Sequence, residues 1–438
     1  MTIEHNEADH ALPLASAARL PRRRGRTDWA ALLVTLACVS MSTAIVAEDH
    51  APRVAVITTV WYHNSHSDVI AGRMLQGMTL EGRDFPRLKM ASLYVDQFPA
   101  NDTSRSVAAK HGVPMFDSVA GALTLGGNKL AVDGVLVIAE HGNYPESDTG
   151  QFQFPKRRFF TEVVKVFEAS GRVLPVFSDK HISDNWTDIN WIWGEAKRLK
   201  IPMMAGSSLP GLWRHPAADV EQDKPLKEIV ATSYHRLDTY GFHAVEMVQC
   251  LAEQRRGGES GVTRVQCLEG DFVWQAGRDG VFDRKLLDAA VSRFRARPLP
   301  EGRRLEDVVK HPILFVVDYR DGLRASTMTL DGAFVDWAVA WKYDDGQVAS
   351  TTFATQEERP FQHFGLQLQG IERMMLTGKP SWPVERTVLT SGTLDALLIS
   401  RRDGGRLVET PYLDIAYRSN WRWQQPLPPP KGRPIEQQ

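Results

Sequence analysis

Buried apolar runs alternate with amphipathic segments through the first half of the chain. Five runs rich in apolar and β-branched residues have the composition of strands buried on both faces: 53–59, 88–95, 132–139, 173–177 and 202–205. The segments between them have apolar residues at helical spacing: 68–77, 101–111, 157–170 and 186–199. Strands that alternate with helices predict an α/β fold with a doubly wound parallel sheet.

The pattern changes after Gly206, where strands with alternating apolar and polar residues become common. Five such strands are predicted: 263–268, 313–319, 325–330, 334–343 and 347–355. Helices are predicted over 239–251, 361–376 and 391–400. Asp-Gly pairs at 321–322, 331–332 and 345–346 favour hairpin turns between consecutive strands. This half is therefore predicted to be an α+β domain whose open, mostly antiparallel sheet has helices on one face.

The composition is that of a water-soluble globular protein with two domains. Its 438 residues include 52 basic and 53 acidic side chains, and 43% of them are hydrophobic. The balanced charge argues against a dedicated nucleic-acid-binding protein, and three cysteines exclude a disulfide scaffold. We expect one domain over 52–205, a second for substrate binding and oligomerisation over 206–423, and a Pro-rich tail over 424–438.

The first 47 residues have the features of a targeting segment. A basic cluster at 22–26 precedes an uncharged apolar run from Trp29 to Ala47, and small residues close that run. This order is typical of a signal peptide, so we expect export to the periplasm or cell envelope. The run is also long enough to remain as an N-terminal membrane anchor.

Five local strings follow one another along the chain: VAVITTVWYHNSH at 54–66, YVDQFPANDTSRSVAAKHGVPMFDS at 94–118, SDKHIS at 178–183, TYGFHAVE at 239–246 and LLISRRDGGRLVETP at 397–411. In order and spacing they resemble the Gfo/Idh/MocA (glucose–fructose oxidoreductase / inositol dehydrogenase) family over most of residues 52–420. The resemblance implies a Rossmann-like first domain that binds NAD or NADP. It also implies redox chemistry on a sugar, cyclitol or glycoside.

The chain departs from the family where the dinucleotide should bind. Glycines are needed after the first strand because the backbone must approach the pyrophosphate at a helix N-terminus. Thr58, Val60 and His63 occupy those positions, so an NAD(P) site would have to be altered. Asp96 ends the second strand, where a carboxylate can bond a ribose hydroxyl or cap a turn. Glu140, at the same edge of the sheet, completes the expected cofactor-binding set.

The resemblance also implies catalytic residues. Lys180 lies in the string where the family has its catalytic lysine, His243 lies where it has its histidine, and Asp179 is a further candidate beside Lys180. Hydride transfer needs a base for the substrate hydroxyl and a cation near the developing alkoxide, and His243 and Lys180 could fill these roles. A buried, hydrogen-bonded histidine and a surface lysine are the structural alternative.

A second set of polar residues follows the predicted strands of the first sheet. His63, His66, Glu140 and His141 should converge, because the carboxyl ends of neighbouring parallel strands share one edge. Histidine and carboxylate together suit a divalent transition metal. A hydrogen-bonded polar network is the alternative to such a metal site.

Three functions remain open from the sequence. The first is an exported oxidoreductase for a sugar, cyclitol or glycoside with an altered NAD(P) site. The second is a metal-dependent carbohydrate lyase or hydrolase, and the third is a catalytically silent saccharide-binding protein. Under each of the three functions we expect a small carbohydrate-like ligand and no nucleic acid. The open sheet of the second domain offers a surface on which a homo-oligomer could form.

Overall fold

The computed structural model describes residues 51–80 and 83–432. The predicted signal peptide or anchor, residues 1–47, lies outside them. No helix within the two described ranges is long and apolar enough to cross a membrane. The described residues all belong to one compact unit. The predicted division into two domains at 205/206 stays a prediction.

The first half forms a parallel sheet and a small separate hairpin. Its strands are β1 (Arg53–Thr58), β2 (Met78–Leu80), β3 (Arg83–Phe85), β4 (Lys89–Val95), β5 (Met115–Phe116), β6 (Gly134–Ile138), β7 (Val176–Asp179) and β8 (Met203–Gly206). β2 pairs only with β3, whereas the other six form one parallel sheet in the order β5-β4-β1-β6-β7-β8. This is the order of a Rossmann sheet, so the predicted doubly wound fold is confirmed.

Helices cover both faces of this sheet. They are α1 (Arg73–Gln76), α2 (Ser104–His111), α3 (Val119–Thr124), α4 (Lys156–Ser170) and α5 (Trp186–Leu199). The helix predicted over 68–77 is broken into a π-helical turn, Ser67–Ala71, and the single turn of α1. α5 has the predicted bounds because the Asn185 side chain caps it, accepting a hydrogen bond from the Asp188 amide at 3.0 Å.

The second half forms a mixed sheet of eight strands. They are β9 (Trp213–His215), β10 (Leu226–Ser233), β11 (Val262–Glu269), β12 (Ile313–Tyr319), β13 (Arg324–Thr329), β14 (Trp337–Tyr343), β15 (Val348–Ala354) and β16 (Val408–Glu409). Their order is β16-β11-β12-β13-β10-β14-β15-β9, and only the β10–β13 pair is parallel among these. The predicted open, mostly antiparallel sheet is therefore confirmed.

One predicted hairpin is wrong because β10 was not predicted. β10 lies between β13 and β14, so Asp331-Gly332 does not connect two paired strands. The turns at Asp321-Gly322 and Asp345-Gly346 do connect paired strands, β12 with β13 and β14 with β15.

Helices cover this second sheet on both faces rather than on one. The helices of this half are α6 (Thr239–Ala252), α7 (Asp271–Arg278), α8 (Arg284–Val291), α9 (Leu305–Val308), α10 (Gln362–Thr377) and α11 (Val384–Arg402). Of these, α10 packs against the first sheet instead, where Leu368 and Ile371 contact the core around Val54. α7, α8 and α9 pack Val273, Leu286 and Leu305 against sheet residues such as Val230 and Met328. The face expected to be free for an oligomer is therefore covered in these strands, and the oligomeric state stays a prediction.

α11 joins the two halves of the fold. It packs against α5 and β8 on one side and against α6 and β11 on the other. Its Arg386 forms a fully buried ion pair with Glu253, in which guanidinium and carboxylate meet at 2.5 and 2.9 Å. A buried pair of this kind is costly to break, because removing one partner leaves the other charge unpaired in the core.

We expect Glu253→Gln to lower the free energy of unfolding by roughly 3–5 kcal/mol, because the Arg386 charge would lose its partner. The matched control is Glu269→Gln, which removes the exposed partner of Arg401 and should cost less than about 1 kcal/mol. Urea unfolding followed by tryptophan fluorescence measures both. Equal losses in the two variants would contradict the role given to the buried pair.

Candidate functional site

A polar cavity of about 620 Å³ opens at the carboxyl edge of the first sheet, where the second half of the chain faces it. From the first sheet its lining includes Tyr62, His66, Glu140, His141 and Lys180. From the second half it includes Tyr240, His243, Trp337, Glu357, His363 and Phe364. Carboxyl edges of such sheets are where doubly wound folds bind ligands.

Lys180 and Glu140 form a buried ion pair in this cavity. The Lys180 Nζ donates a hydrogen bond to Glu140 Oε1 at 2.7 Å, and both side chains are buried. Burial alone would raise the pKa of Glu140, but the charges of Lys180, His66 and His141 together outweigh it and the pKa is lowered. Burial alone would lower the pKa of Lys180, but Glu140 raises it. Both groups are therefore charged, and the other Glu140 oxygen has no hydrogen-bond partner among the described residues.

Lys156 holds the turn that carries Lys180. Its Nζ donates to the backbone carbonyls of Asp179 and His181 at 3.0 and 2.6 Å. Three consecutive cations, such as those at 156–158, are typical of a solvated helix start, yet the Lys156 side chain is buried, and burial lowers its pKa to about 8. The lysine is buried because these two carbonyls accept its hydrogen bonds, and they become neighbours only in the folded chain.

Asp179 pairs with His66 rather than lining the cavity. Its Oδ2 lies 2.6 Å from His66 Nδ1, and the carboxylate is buried. The His66 ring packs edge-on to His141 and Phe364, with centroids at 5.3 and 4.9 Å. Asp179 is therefore placed to orient His66, not to contact a ligand.

His243 lies in the cavity wall as a neutral imidazole. Its Nδ1 is 2.5 Å from the Ser207 hydroxyl, which can donate or accept and so allows either tautomer. Burial, and then the charge of Lys180, lowers the pKa of His243 well below that of a free histidine. The Trp337 ring meets it edge-on, with centroids 6.1 Å apart. The histidine is therefore neutral and can accept a proton at the ring nitrogen that carries no hydrogen.

Backbone strain is concentrated at this cavity. Lys180, His141 and Phe361 line it and have φ values of 57°, 67° and 50°, in the left-handed region that residues with side chains rarely adopt. Such conformations persist where the surrounding structure fixes them, and they cluster at functional sites.

The predicted metal ligands do not form a metal site. His63 is exposed and lies 3.8 Å from Asp68, His66 is bound to Asp179, and Glu140 is bound to Lys180. Among residues 51–80 and 83–432, no three histidine, cysteine, aspartate or glutamate side chains are grouped to hold a metal ion. The polar network, which was the alternative, is the arrangement observed.

The space after β1, where a pyrophosphate would lie, is filled by the chain's own groups. The Thr58 hydroxyl contacts the Ser67 hydroxyl at 2.5 Å and lies 3.0 Å from the carbonyls of Val60 and Ile138. Thr58, Val60 and Trp61 are all buried. Side chains therefore occupy the close approach that glycines would leave open.

The Asp68 carboxylate also disfavours a pyrophosphate after β1. Asp68 lies in the first turn of the helical segment that follows β1, and its carboxylate pairs with Arg359 at 2.7 Å. A helix start that binds phosphate offers free amides, whereas this one presents a carboxylate.

Hydrogen bonds within the protein also use Asp96, the residue expected to bind a ribose hydroxyl, and cross the crevice where the dinucleotide would lie. The Asp96 carboxylate accepts hydrogen bonds from Tyr94, Tyr144 and Arg158 at 2.6, 2.7 and 2.6 Å. The Gln97 side chain bonds both the amide and the carbonyl of Asn143, at 2.8 and 3.0 Å, and so links the ends of β4 and β6 across β1. The predicted set of Thr58, Val60, His63, Asp96 and Glu140 does not fit NAD(P) in the way the resemblance implies.

Ser207 and Glu246 are site residues that the sequence only partly indicated. From the sequence alone, Gly206-Ser207-Ser208 fits either a substrate contact or a hinge between domains. A Cβ at Gly206, where φ is 124°, would lie 2.5 Å from Glu246 Oε1, so glycine is required for the carboxylate to approach. Glu246 then accepts hydrogen bonds from the Ser207 amide at 2.5 Å and the Thr387 hydroxyl at 2.6 Å. This contact fixes Ser207, which in turn holds His243.

We expect Glu246 to make stability fall as pH rises from about 4.5 to about 7. Burial raises the pKa of Glu246 to about 7, so the folded protein keeps a proton that the unfolded chain loses first. The loss should total roughly 3 kcal/mol and be complete above pH 7. Urea unfolding at several pH values should show a shallower slope in Glu246→Gln. Identical slopes for wild type and variant would contradict the assignment.

Comparison with known proteins supports the fold alone. The sequence matches no family model and no curated protein. GenD2 from gentamicin A biosynthesis, solved with NAD, is 13% identical, with a TM-score of 0.51, over 82% of this chain and 96% of its own. The apo scyllo-inositol dehydrogenase of Lactobacillus casei and a myo-inositol dehydrogenase of Corynebacterium glutamicum are each 11% identical, with TM-scores of 0.50, over 82% of this chain and 98% of theirs. The chain therefore has the two-sheet fold of Gfo/Idh/MocA-type inositol and sugar dehydrogenases, as its sequence resemblance predicted.

Proposed function

We propose that the cavity binds a sugar or cyclitol and that Lys180 and His243 carry out proton transfer on it. The observation that carries the proposal is the meeting of a buried, charged lysine and a neutral histidine in one polar cavity. The unpartnered Glu140 oxygen offers an acceptor for a ligand hydroxyl. Trp337 and Tyr240, whose rings stack with centroids 5.7 Å apart, give the cavity an apolar wall suited to a sugar ring.

The two residues divide the chemistry between them. A neutral imidazole can remove the proton from a carbon next to a carbonyl, and the C–H electrons then form an enolate. The Lys180 ammonium stabilises the oxygen on which the negative charge develops. His243 releases the proton to water, and delivery of a proton from water to the opposite face of the same carbon gives an epimer of the substrate. This sequence balances without an oxidant or a reductant.

The oxidoreductase with an altered NAD(P) site, which the resemblance implied, would use the same two residues. It would also need a hydride acceptor bound across the ends of β1, β4 and β6. The Asp68 carboxylate, the engaged Asp96 and the Gln97–Asn143 link all oppose binding there. These contacts favour proton transfer without hydride transfer.

Export remains part of the proposal. Residues 1–47 would direct the enzyme to the periplasm or cell envelope, where it would meet saccharides released outside the cytoplasm. A homo-oligomer is compatible with this location, although the sheet face covered by α7–α9 would not form its interface.

Exchange of substrate hydrogen with deuterated solvent tests the proposal directly. The panel consists of ketoses, aldoses and keto-cyclitols, and proton NMR follows the hydrogen on the carbon next to the carbonyl. We expect the purified protein to exchange this hydrogen for deuterium in at least one member of the panel. His243→Asn should slow exchange by about 100-fold or more, because the transferring group is lost. Lys180→Met is combined with Glu140→Gln, so that no charge is left unpaired in the core, and should have a similar effect.

The control variant is His363→Asn, which alters a histidine in the same cavity that the proposal does not use. It should retain exchange within a few-fold of wild type. A protein that binds these sugars but exchanges none of them would support the silent binding protein instead. Exchange that survives both His243→Asn and the double variant would overturn the roles given to the two residues.

A further inference from the structure

A second cavity lies beside the candidate site. It has a volume of about 880 Å³ and lies between α10 and the extended residues 420–427, and we call it the tail groove. It meets the candidate site at Ser208, which lines both cavities, and at Ser207, which holds His243, and its other lining residues are its own. Its size is in the range of small-molecule sites, about 300–1,000 Å³.

The tail of the chain builds one wall of this groove. The Trp423 Nε1 donates to the Leu212 carbonyl at 2.7 Å, and the Trp213 Nε1 donates to the Leu427 carbonyl at 2.6 Å. The Arg214 guanidinium lies 4.3 Å from the centre of the Trp423 ring. The start of the Pro-rich tail is thus bound to the folded core at Leu427, and the Trp423 ring that precedes the tail is held in place.

The charges along the groove are of one sign. Arg373, Lys379, Arg386 and Arg422 line it, and among the described lining residues there is no aspartate or glutamate. Arg386 is neutralised by the buried Glu253, which leaves Arg373, Lys379 and Arg422 as the three charges that face the groove without a carboxylate. Arg422 donates to neutral oxygens, including Gln254 Oε1 at 2.7 Å and the Trp421 carbonyl at 2.8 Å. Within the described part of the chain, none of the three cations forms an ion pair. In contrast, the candidate site contains carboxylates beside its cations.

An unpartnered buried acceptor also lines the groove. The Gln367 side chain is buried, and its Nε2 donates to the Gly206 carbonyl at 2.7 Å. Its Oε1 has no hydrogen-bond partner in the described structure. A buried amide oxygen without a partner is uncommon and indicates a ligand donor such as a hydroxyl.

We propose that the tail groove binds an anionic oligosaccharide. Trp421 and Trp423 provide rings on which sugar faces stack, Gln367 accepts from a sugar hydroxyl, and the three cations bind the acidic groups. The inference is independent of the proposed function, since it uses none of the residues that act in the candidate site.

Calorimetric titration of the whole protein with a short oligouronate, in low and in moderate salt, tests the proposal. We expect saturable binding that weakens as salt increases, and at least tenfold weaker binding of the same oligomer after its carboxylates are reduced to alcohols. Arg373→Gln with Lys379→Gln should lower affinity by about tenfold, because two exposed charges are lost. Both residues are exposed, so the fold should be unaffected.

Two controls make the result specific. Arg303→Gln with Lys310→Gln removes the same charge at a distant exposed surface and should leave affinity unchanged. Lys180→Met with Glu140→Gln should also bind normally, because neither residue lines the groove. Loss of affinity in either control, or displacement by inorganic phosphate at the concentration of the oligomer, would overturn the proposal. Absence of saturable binding of the oligouronate would overturn it as well.

Discussion

The buried ion pair of Lys180 and Glu140 is the interaction on which the candidate site depends. It joins the ends of two neighbouring strands, β6 and β7, at the point where a ligand would enter. A charge this deeply buried requires a partner, so the two side chains fix each other's position. Lys156 then holds the turn through two carbonyls, and Asp179 turns away to bind His66. The strained backbone of Lys180 is stable only within this network.

The same contacts that close the dinucleotide crevice also build the cavity. Arg359, from the segment between β15 and α10, binds Asp68 at the start of the helical turn after β1. This ion pair brings Phe361, His363 and Phe364 over the carboxyl edge of the first sheet, where they line the cavity. Loss of the glycines is thus accompanied by new structure rather than by an empty space. The fold is that of sugar and inositol dehydrogenases, and the groups at its carboxyl edge decide which chemistry it can carry.

Local pattern predicted most of the fold, because burial on a sheet requires apolar runs. β12 and α5 have the predicted bounds, whereas β10 was missed because Lys227 and Glu228 interrupt its apolar sequence. Lys180 and His243 were placed through the resemblance, and the structure brings both to one cavity. The partners of a site residue lie far from it along the chain. The sequence therefore could not show that Tyr144 and Arg158 donate hydrogen bonds to the Asp96 carboxylate. Nor could it show that Lys156, which begins a run of cations, is buried.

In the proposed function the cavity works without a dinucleotide held in the Rossmann crevice. The most direct measurement is titration of the purified protein with NAD and NADP, in oxidised and reduced forms, followed by calorimetry and by native mass spectrometry. We expect no saturable binding at millimolar nucleotide, and no nucleotide retained through purification. The reason is that the Thr58 and Ser67 side chains and the Asp68 carboxylate lie after β1, where a pyrophosphate would have to bind. Stoichiometric binding of any of the four nucleotides at micromolar concentration would contradict it and would restore the oxidoreductase.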